Sequence, residues 1–389
     1  MSIPIDRSSR SAGLDSPFPR PPKEAMRKMQ SLMPSTDPSF SFGRSIAGEP
    51  PPARARLSDD AQDFRVVEIP KFTAQGSGSH AWLKIEKRRL DTIEVADALA
   101  RLAGVPPSAV GFAGMKDRVS VATQWFSVDL ANRPHPAWER LQSDALSVLE
   151  ATSHSRKLRR GALLGNRFEI VLRKVLIENE DRFQRRLEGL RQRGMANYFG
   201  AQRFGIDGSN LRLAEDLLIR RRRIKDRFRR SLALSAARSF VFNRVLAART
   251  EGADDLLPGD VMMLEGRKSV FSAPEIDESM IERFSAGEIH PTGPLWGRGR
   301  RLVQGKALKV EDRIVADSWA LCRGLERERV DQARRALRVF ARNLEVRLEG
   351  DRAHLSFDLP PGSYATVLIG SLFALEAFRG RKVQGPGHL

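Results

Sequence analysis

The chain has 389 residues, 41% of them hydrophobic and 7% aromatic, the proportions of a globular protein with a buried core and not of a fibrous or wholly disordered one. Lys and Arg number 66 against 48 Asp and Glu, a net charge of +18; such an excess attracts polyanions, because each neutralised phosphate releases condensed counterions. Nucleic acid is the first candidate partner and an anionic membrane the second.

A single cysteine, Cys322, excludes an internal disulfide and a thiolate metal cluster. The six histidines form no H-x-x-x-H pair. No apolar run approaches the roughly 18 residues of a transmembrane span, and the N-terminus lacks the apolar core of a secretory signal. A cytoplasmic protein without a dedicated metal site is expected.

Residues 1–52, with segments such as SPFPRPPK and SIAGEPPP, lack periodicity and predict a mobile tail. DFRVVEI and HAWLKIEK then alternate apolar and polar residues as half-buried strands do. The glycines of PKFTAQGSGS between them lack the spacing of a phosphate-binding loop, so a flexible hairpin connection is expected. DTIEVADALARLAG reads as a helix capped by Asp91 or Thr92 and ended by Gly104, with Val95, Leu99 and Leu102 on one face. VGFAGMKDRVSVATQWFSVD reads as strand, tight turn, strand, with Asp117 at the turn.

GNRFEIVLRKV predicts a further strand. RFQRRLEGLRQRG and SNLRLAEDLLIRRR are amphipathic helices on either side of MANYFGAQRFGIDG, and SLALSAARSFVFNRVLAARTEG is a longer one. LEVRLEGDRAHLSFDLP predicts a hairpin turning at Glu349–Asp351, and ATVLIGSLFALEAF a final helix. Strands gather at both ends of the chain and helices in the middle. That distribution predicts an α+β domain interrupted by a mainly helical insertion.

Chemistry in such a chain falls to carboxylates, hydroxyls or lysine. Asp117 lies between Lys116 and Arg118, whose charges favour an ionised carboxylate competent as nucleophile or base, and Gly114 permits close approach of a substrate. From spacing alone, a plain exposed turn of the same composition is the commoner reading. Phe64, Trp82, Trp125, Phe168, Tyr198, Phe199, Phe204 and Tyr364 lie beside polar or basic residues, where bases stack, although such a ring taken alone is more often core than platform. The run RRRRIKDRFRR, Arg220 to Arg230, is either a phosphate-contacting helix face or a solvated one, and SRKLRR, ending at Arg160, invites the same reading.

In order, DFRVVEI with GSGSHAWLKIEKRRLDT, VGFAGMKDRVSVATQWFSV, KLRRGALLGNRFEIVLR, NYFGAQRFG, LSAARSFVFNRVLAAR, PTGPLWG and PPGSYAT resemble the motifs of the TruD pseudouridine synthases. The resemblance implies that Asp117 is the catalytic carboxylate and that Phe64, Asn166, Phe168 and Tyr364 contact the uridine. Phe64 and Tyr364 would sandwich or orient the base, and the Asn166 amide would bond its edge or ribose. Lys116, Arg118, Arg203, Arg221, Arg222 and Arg223 are the cations expected to contact RNA. The implied substrate is transfer RNA, at the uridine of position 13 in the D-arm, with no cofactor and no metal.

The implied fold is the pseudouridine synthase α+β domain, a mixed, largely antiparallel sheet flanked by helices. It would span residues 54–193 and 339–389, with the mainly helical α/β TRUD domain inserted as 194–338. The sequence departs from the family at Ser58, where a basic residue is usual, and at Gly370 and Ser371, where an Arg-Glu pair is usual. Arg54 and Arg56 are the nearest cations to Ser58. A non-catalytic RNA-binding protein on the same scaffold, or a glycosidase or nucleosidase, are the alternatives; the last needs a second carboxylate, and none stands out.

Overall fold

The computed structural model describes residues 50–376 apart from Ala74, Asn132, Glu251, Ala253 and Asp254. The first part of the chain contributes strands β1 (Ala53–Leu57), β2 (Phe64–Pro70), β3 (His80–Arg88), β4 (Val110–Phe112), β5 (Val121–Asp129), β6 (Leu146–His154) and β7 (Leu163–Ile177), with helix α1 (Thr92–Ala103) after β3 and α2 (Glu180–Arg193) after β7. The last part returns β14 (Arg342–Glu349), β15 (Arg352–Leu359), helix α8 (Ala365–Leu372) and β16 (Phe373–Leu375) to the same sheet. Seven strands run in the order β14-β15-β7-β2-β5-β3-β6, with β1, β4 and β16 paired beside them. Among the described residues of this sheet, β2 with β5 and β1 with β16 pair in parallel and the other pairs are antiparallel. The sheet is therefore mixed and largely antiparallel, and the class is α+β.

Local chemistry explains the elements. The Asp91 and Glu94 side chains form a capping box at the start of α1, with Asp91 N–H donating to Glu94 Oε2 at 2.6 Å, and Gly104 ends the helix in the left-handed region. The β14–β15 hairpin turns through Gly350 and Asp351, Gly350 supplying the positive φ of 59°. Strand alternation puts Phe64, Val66, Phe168, Ile170, Leu355 and Phe357 in one core under α2 and α8. Ala81, Leu83, Ile85, Phe126 and Val128 form a second core under α1. Ala122 joins the first core and Phe126 the second, so the two lie on the same face of the sheet, side by side.

Between the two parts of the sheet lies an insertion. It holds α3 (Ser209–Leu218), the 24-residue α4 (Arg227–Thr250), α5 (Glu278–Ser285), α6 (Gly305–Asp317) and α7 (Trp319–Arg327). It also holds a four-stranded sheet of β9 (Asp260–Leu264), β10 (Val270–Ala273), β11 (Ile289–Leu295) and β12 (Ala333–Ala336), in the order β10-β9-β11-β12. Its core joins Ala214, Leu218, Ala237, Val241, Cys322 and Leu325. At the neck, β8 (Met195–Ala196) pairs antiparallel with β13 (Arg338–Val339), tying the outgoing chain to the returning one. Among the described residues no helix is long and apolar enough to cross a membrane.

Four expectations change. Strands β2 and β3 are not a hairpin, because β5 lies between them. Of the expected tail, residues 1–49 lie outside the described residues, but Pro51 and Pro52 are buried and Pro52 C=O accepts from Glu178 N–H at 3.1 Å. The last helix stops at Leu372, where the chain turns into β16 against β1; its expected end at residues 377–378 lies outside the described residues. Arg221, Arg222 and Arg223 lie on the loop between α3 and α4 rather than on a helix, Arg221 at φ 56°.

Candidate active site

A polar seam separates the two cores. Glu68 follows Phe64 and Val66 on the inward side of β2, and Lys87 follows Ala81, Leu83 and Ile85 on the inward side of β3. Both are buried, as are Thr92, Lys116, Ser120 and Gln124. Buried polar groups persist only when they are paired, and these are. Lys116 Nζ donates to Glu68 Oε2 at 2.8 Å, and Trp125 N–H donates to Glu68 Oε1 at 3.3 Å. Thr92 Oγ1 donates to Gln124 Oε1 at 3.0 Å and accepts from Lys116 N–H at 3.0 Å.

These bonds fix the loop of residues 113–120, which joins β4 to β5 and carries Asp117. Gln124 Nε2 donates to Gly114 C=O at 3.3 Å, near the loop's start. At its far end Asp117 C=O accepts twice, from Lys87 Nζ at 3.0 Å and from Ser120 Oγ at 2.7 Å. Burial lowers the Lys87 ammonium from the usual 10.5 to about 8, against the pull of the Asp117 and Asp91 carboxylates. Asp117 itself is exposed at the loop's crest. Arg118 turns aside to Asp91 (3.0 Å) and Glu94 (3.1 Å) at the start of α1.

Asn166 lies in the same part of the sheet. It pairs in register with Glu68 on one side and Leu359 on the other. The neighbouring Gly165 is required by that approach, since a Cβ there would lie 2.5 Å from Leu359 O. Asn166 Oδ1 is buried and has no hydrogen-bond partner among the described residues. Glu68 thus stands in the sheet beside Asn166 and through its carboxylate holds Lys116, the residue before Asp117.

Phe168 is one row from Asn166, stacked on Phe357 with ring centroids 5.4 Å apart. Phe64 meets Phe168 edge-on at 6.2 Å. Both are at least nine-tenths buried, with Phe64 packed against Phe168 in the core.

Tyr364, at the start of α8, reaches the insertion. Its Oη accepts from Arg203 Nε at 3.0 Å, and Arg203 Nη1 continues to Ser235 Oγ on α4 at 3.0 Å. Its ring meets Phe199 edge-on at 6.1 Å, and a Cβ on Gly200 would lie 2.7 Å from Tyr364 Cδ1. Arg335 lies 4.1 Å over Phe199 and donates to Gly362 C=O at 3.1 Å, joining β12 to the loop before Tyr364. Burial lowers the Arg335 guanidinium to about 10.

The structure therefore brings together Asp117, Lys116, Asn166 and Phe168 through Glu68, and Tyr364 with Arg203. Lys116 is committed to Glu68, Arg118 to α1 and Arg203 to Tyr364; Arg221, Arg222 and Arg223 are exposed on the loop between α3 and α4, with Arg222 paired to Asp216 at 3.1 Å. Glu68, Lys87, Thr92, Gln124 and Arg335 escape the sequence reading. The signal for the first two is a charge at an inward position of an otherwise apolar strand face.

The family described as tRNA pseudouridine synthase D (TruD) matches residues 46–225 and 222–371 of this chain. A tRNA pseudouridine synthase D from Methylococcus capsulatus is 46% identical over 326 residues, covering 83% of this chain and 92% of its own. One from Shewanella oneidensis is 42% identical over 323 residues, covering 83% and 86%. A solved structure from Methanosarcina mazei, described as a tRNA pseudouridine synthase D, superposes with a TM-score of 0.63 over 86% of this chain and 97% of its own at 19% identity, and so shares the fold. By sequence and fold, this chain belongs to the TruD family of tRNA pseudouridine synthases.

Proposed function

We propose that the chain converts the uridine at position 13 of the D-arm of transfer RNA to pseudouridine, acting in the cytoplasm as a monomer with Asp117 as its catalytic carboxylate. The supporting observation is the buried, unpartnered amide oxygen of Asn166 in the strand beside Glu68, whose carboxylate holds Lys116, the residue before the exposed Asp117 on a loop fixed by Lys87, Ser120, Thr92 and Gln124. An acceptor buried without a partner is costly. A uridine N–H or ribose hydroxyl entering the site would satisfy it.

The reaction breaks the bond between ribose C1′ and uracil N1, turns the base and rejoins C1′ to C5. C5 loses a proton and N1 gains one, so the product is an isomer and no electrons enter or leave. The nucleotide must first leave its stack, at a cost of a few kcal/mol that the pocket offsets. Phe168, supported by Phe64 and Phe357, would form the floor of that pocket, and Tyr364 would close it from the side of the insertion. Asp117 attacks the sugar, attacks the base or abstracts a ribose proton; in all three it must be ionised and held still. Lys116, its ammonium buried on Glu68, would orient the loop instead of meeting phosphate, while Arg221, Arg222 and Arg223 would contact RNA from the insertion.

The test is to map pseudouridine in transfer RNA incubated with the purified chain. Product at position 13 supports the reading. Product elsewhere would overturn the site, and RNA binding without product would leave a binding protein.

A further inference from the structure

The arginine-rich run is not uniform. Arg220 and Arg222 pair with Asp216 at 3.2 and 3.1 Å, and Arg230 pairs with Glu328. Arg223, Lys225 and Arg229 are exposed, and their side chains have no ion pair among the described residues. Amid them Phe228 is 57% exposed. The centre of a protein-binding face is depleted of Lys, Asp and Glu, whereas Lys225 and Asp226 both lie beside this ring. The Asp226 carboxylate is taken up by the Phe228 and Arg229 N–H groups at 2.7 and 3.2 Å, and a ring with a surplus of cations around it matches a nucleotide, whose base offers a π-face and whose flanking phosphates are anionic.

The position of Phe228 supports the same occupant. Phe228 and Ser235 are seven residues apart on α4 and so share a helix face two turns apart. The separation is about 10 Å at roughly 1.5 Å per residue. Ser235 Oγ accepts from Arg203, which also donates to Tyr364 Oη. Phe228 thus lies on the stripe of α4 that carries Ser235, separated from it by the length of about three nucleotides stacked at roughly 3.4 Å.

We propose that Phe228, with Arg223, Lys225 and Arg229, is an accessory site for an unpaired nucleotide of the RNA, the base stacked on the ring and its phosphates held by the cations. The inference rests on the reading of RNA as substrate and adds a recognition point outside the reacting pocket.

The experiment compares the wild type with Phe228→Leu, which keeps apolar bulk and removes the π-face, and with Phe228→Trp, which keeps it. Binding is measured to a transfer RNA transcript and to a blunt RNA duplex with no unpaired nucleotide. The Leu variant should bind the transcript about 5- to 150-fold more weakly, with the loss in half-saturating concentration for modification rather than in the saturated rate, and Trp should restore it. Duplex binding should not distinguish the three. Arg223→Ser with Arg229→Ser should instead flatten the plot of log affinity against log salt by about 0.7 for each phosphate no longer neutralised.

Equal affinity of the Leu variant for the transcript would overturn the proposal, as would an equal loss on the duplex. Light scattering that finds the wild type self-associated and the Leu variant not would assign the ring to a second copy of the chain. A wild type that forms no pseudouridine would count against the proposed function and leave the comparison of RNA affinities readable.

Discussion

The side chain of Lys87 donates to the main-chain carbonyl of Asp117 at 3.0 Å and to that of Leu90 at 2.6 Å. A fully buried lysine thereby holds the peptide that carries the candidate catalytic carboxylate. Burial lowers its ammonium to about 8, whereas in the unfolded chain it titrates near 10.5. Between those values the unfolded chain retains a proton that the folded chain has released. Lys87 therefore makes stability rise with pH across that window. Urea unfolding of the wild type and Lys87→Met should show the wild type gaining on the variant by up to about 1.4 kcal/mol per pH unit above pH 8. A difference that stays constant from pH 7 to 9.5 would mean that the amine keeps its proton in the fold.

The ion pair of Lys116 and Glu68 predicts a different signature from that of a phosphate contact. Both side chains are at least nine-tenths buried, with 2.8 Å between Nζ and Oε2. Removing one partner of a buried pair strands the other's charge, at a cost of about 3–5 kcal/mol. Lys116→Met should therefore unfold at markedly lower denaturant concentration, while the salt dependence of RNA binding by the folded variant stays that of the wild type. Lys116→Met with Glu68→Leu should recover much of the lost stability. A variant of normal stability with a flattened salt slope would return Lys116 to the RNA surface.

These two lysines also show what the sequence makes legible. The alternation in DFRVVEI and HAWLKIEK predicts two strands, and it already sets Glu68 and Lys87 on their apolar faces, where a charge calls for a partner. Which partner is not local information: Glu68 and Lys116 are 48 residues apart, and their meeting depends on β5 lying between β2 and β3. Local pattern fixes strand period but not strand order, and for that reason the expected hairpin fails. The motif G-M-K-D-R brings Asp117 into view through resemblance, since as a bare turn it has many innocent readings. Phe64 looks like a stacking platform because it stands beside polar residues in sequence; in the sheet those neighbours point to the other face and the ring is left with Phe168. Tyr364 and Arg203 are 161 residues apart and belong to different parts of the molecule, so their contact is invisible until the insertion is folded back.

That contact predicts a coupling. Tyr364 Oη accepts from Arg203 Nε at 3.0 Å, and the same guanidinium reaches Ser235. Tyr364→Phe leaves the ring against Phe199 but deprives Arg203 of its acceptor. Hydrogen bonds to charged groups contribute about 1.5–3 kcal/mol, so Tyr364→Phe and Arg203→Gln should each lower the single-turnover rate by an order of magnitude or so. The double variant should lose little more than either single one, because both remove the same bond. Strictly additive losses would mean that the hydroxyl and the guanidinium act on the RNA separately.

Asp117→Asn tests the assignment at its centre. Asn keeps the size of the side chain and can still accept a hydrogen bond, but it has no ionised oxygen to act as nucleophile or base. The main chain of residue 117 is held by Lys87 and Ser120, and these bonds to its carbonyl are kept when Asn replaces Asp. Folding should therefore survive the change, and so should RNA binding, which phosphate contacts dominate. Pseudouridine formation should fall to background whichever of the three modes of attack operates. Asp117→Glu should also be severely impaired, since one added methylene moves the carboxylate by about the 1 Å that can cost a hundredfold in rate. The measurement is a single turnover with excess enzyme over radiolabelled transfer RNA, so that a loss of affinity cannot pass for a loss of chemistry. Conversion by the Asn variant at the wild-type rate would remove Asp117 from the reaction and leave the fixed loop without its catalytic purpose.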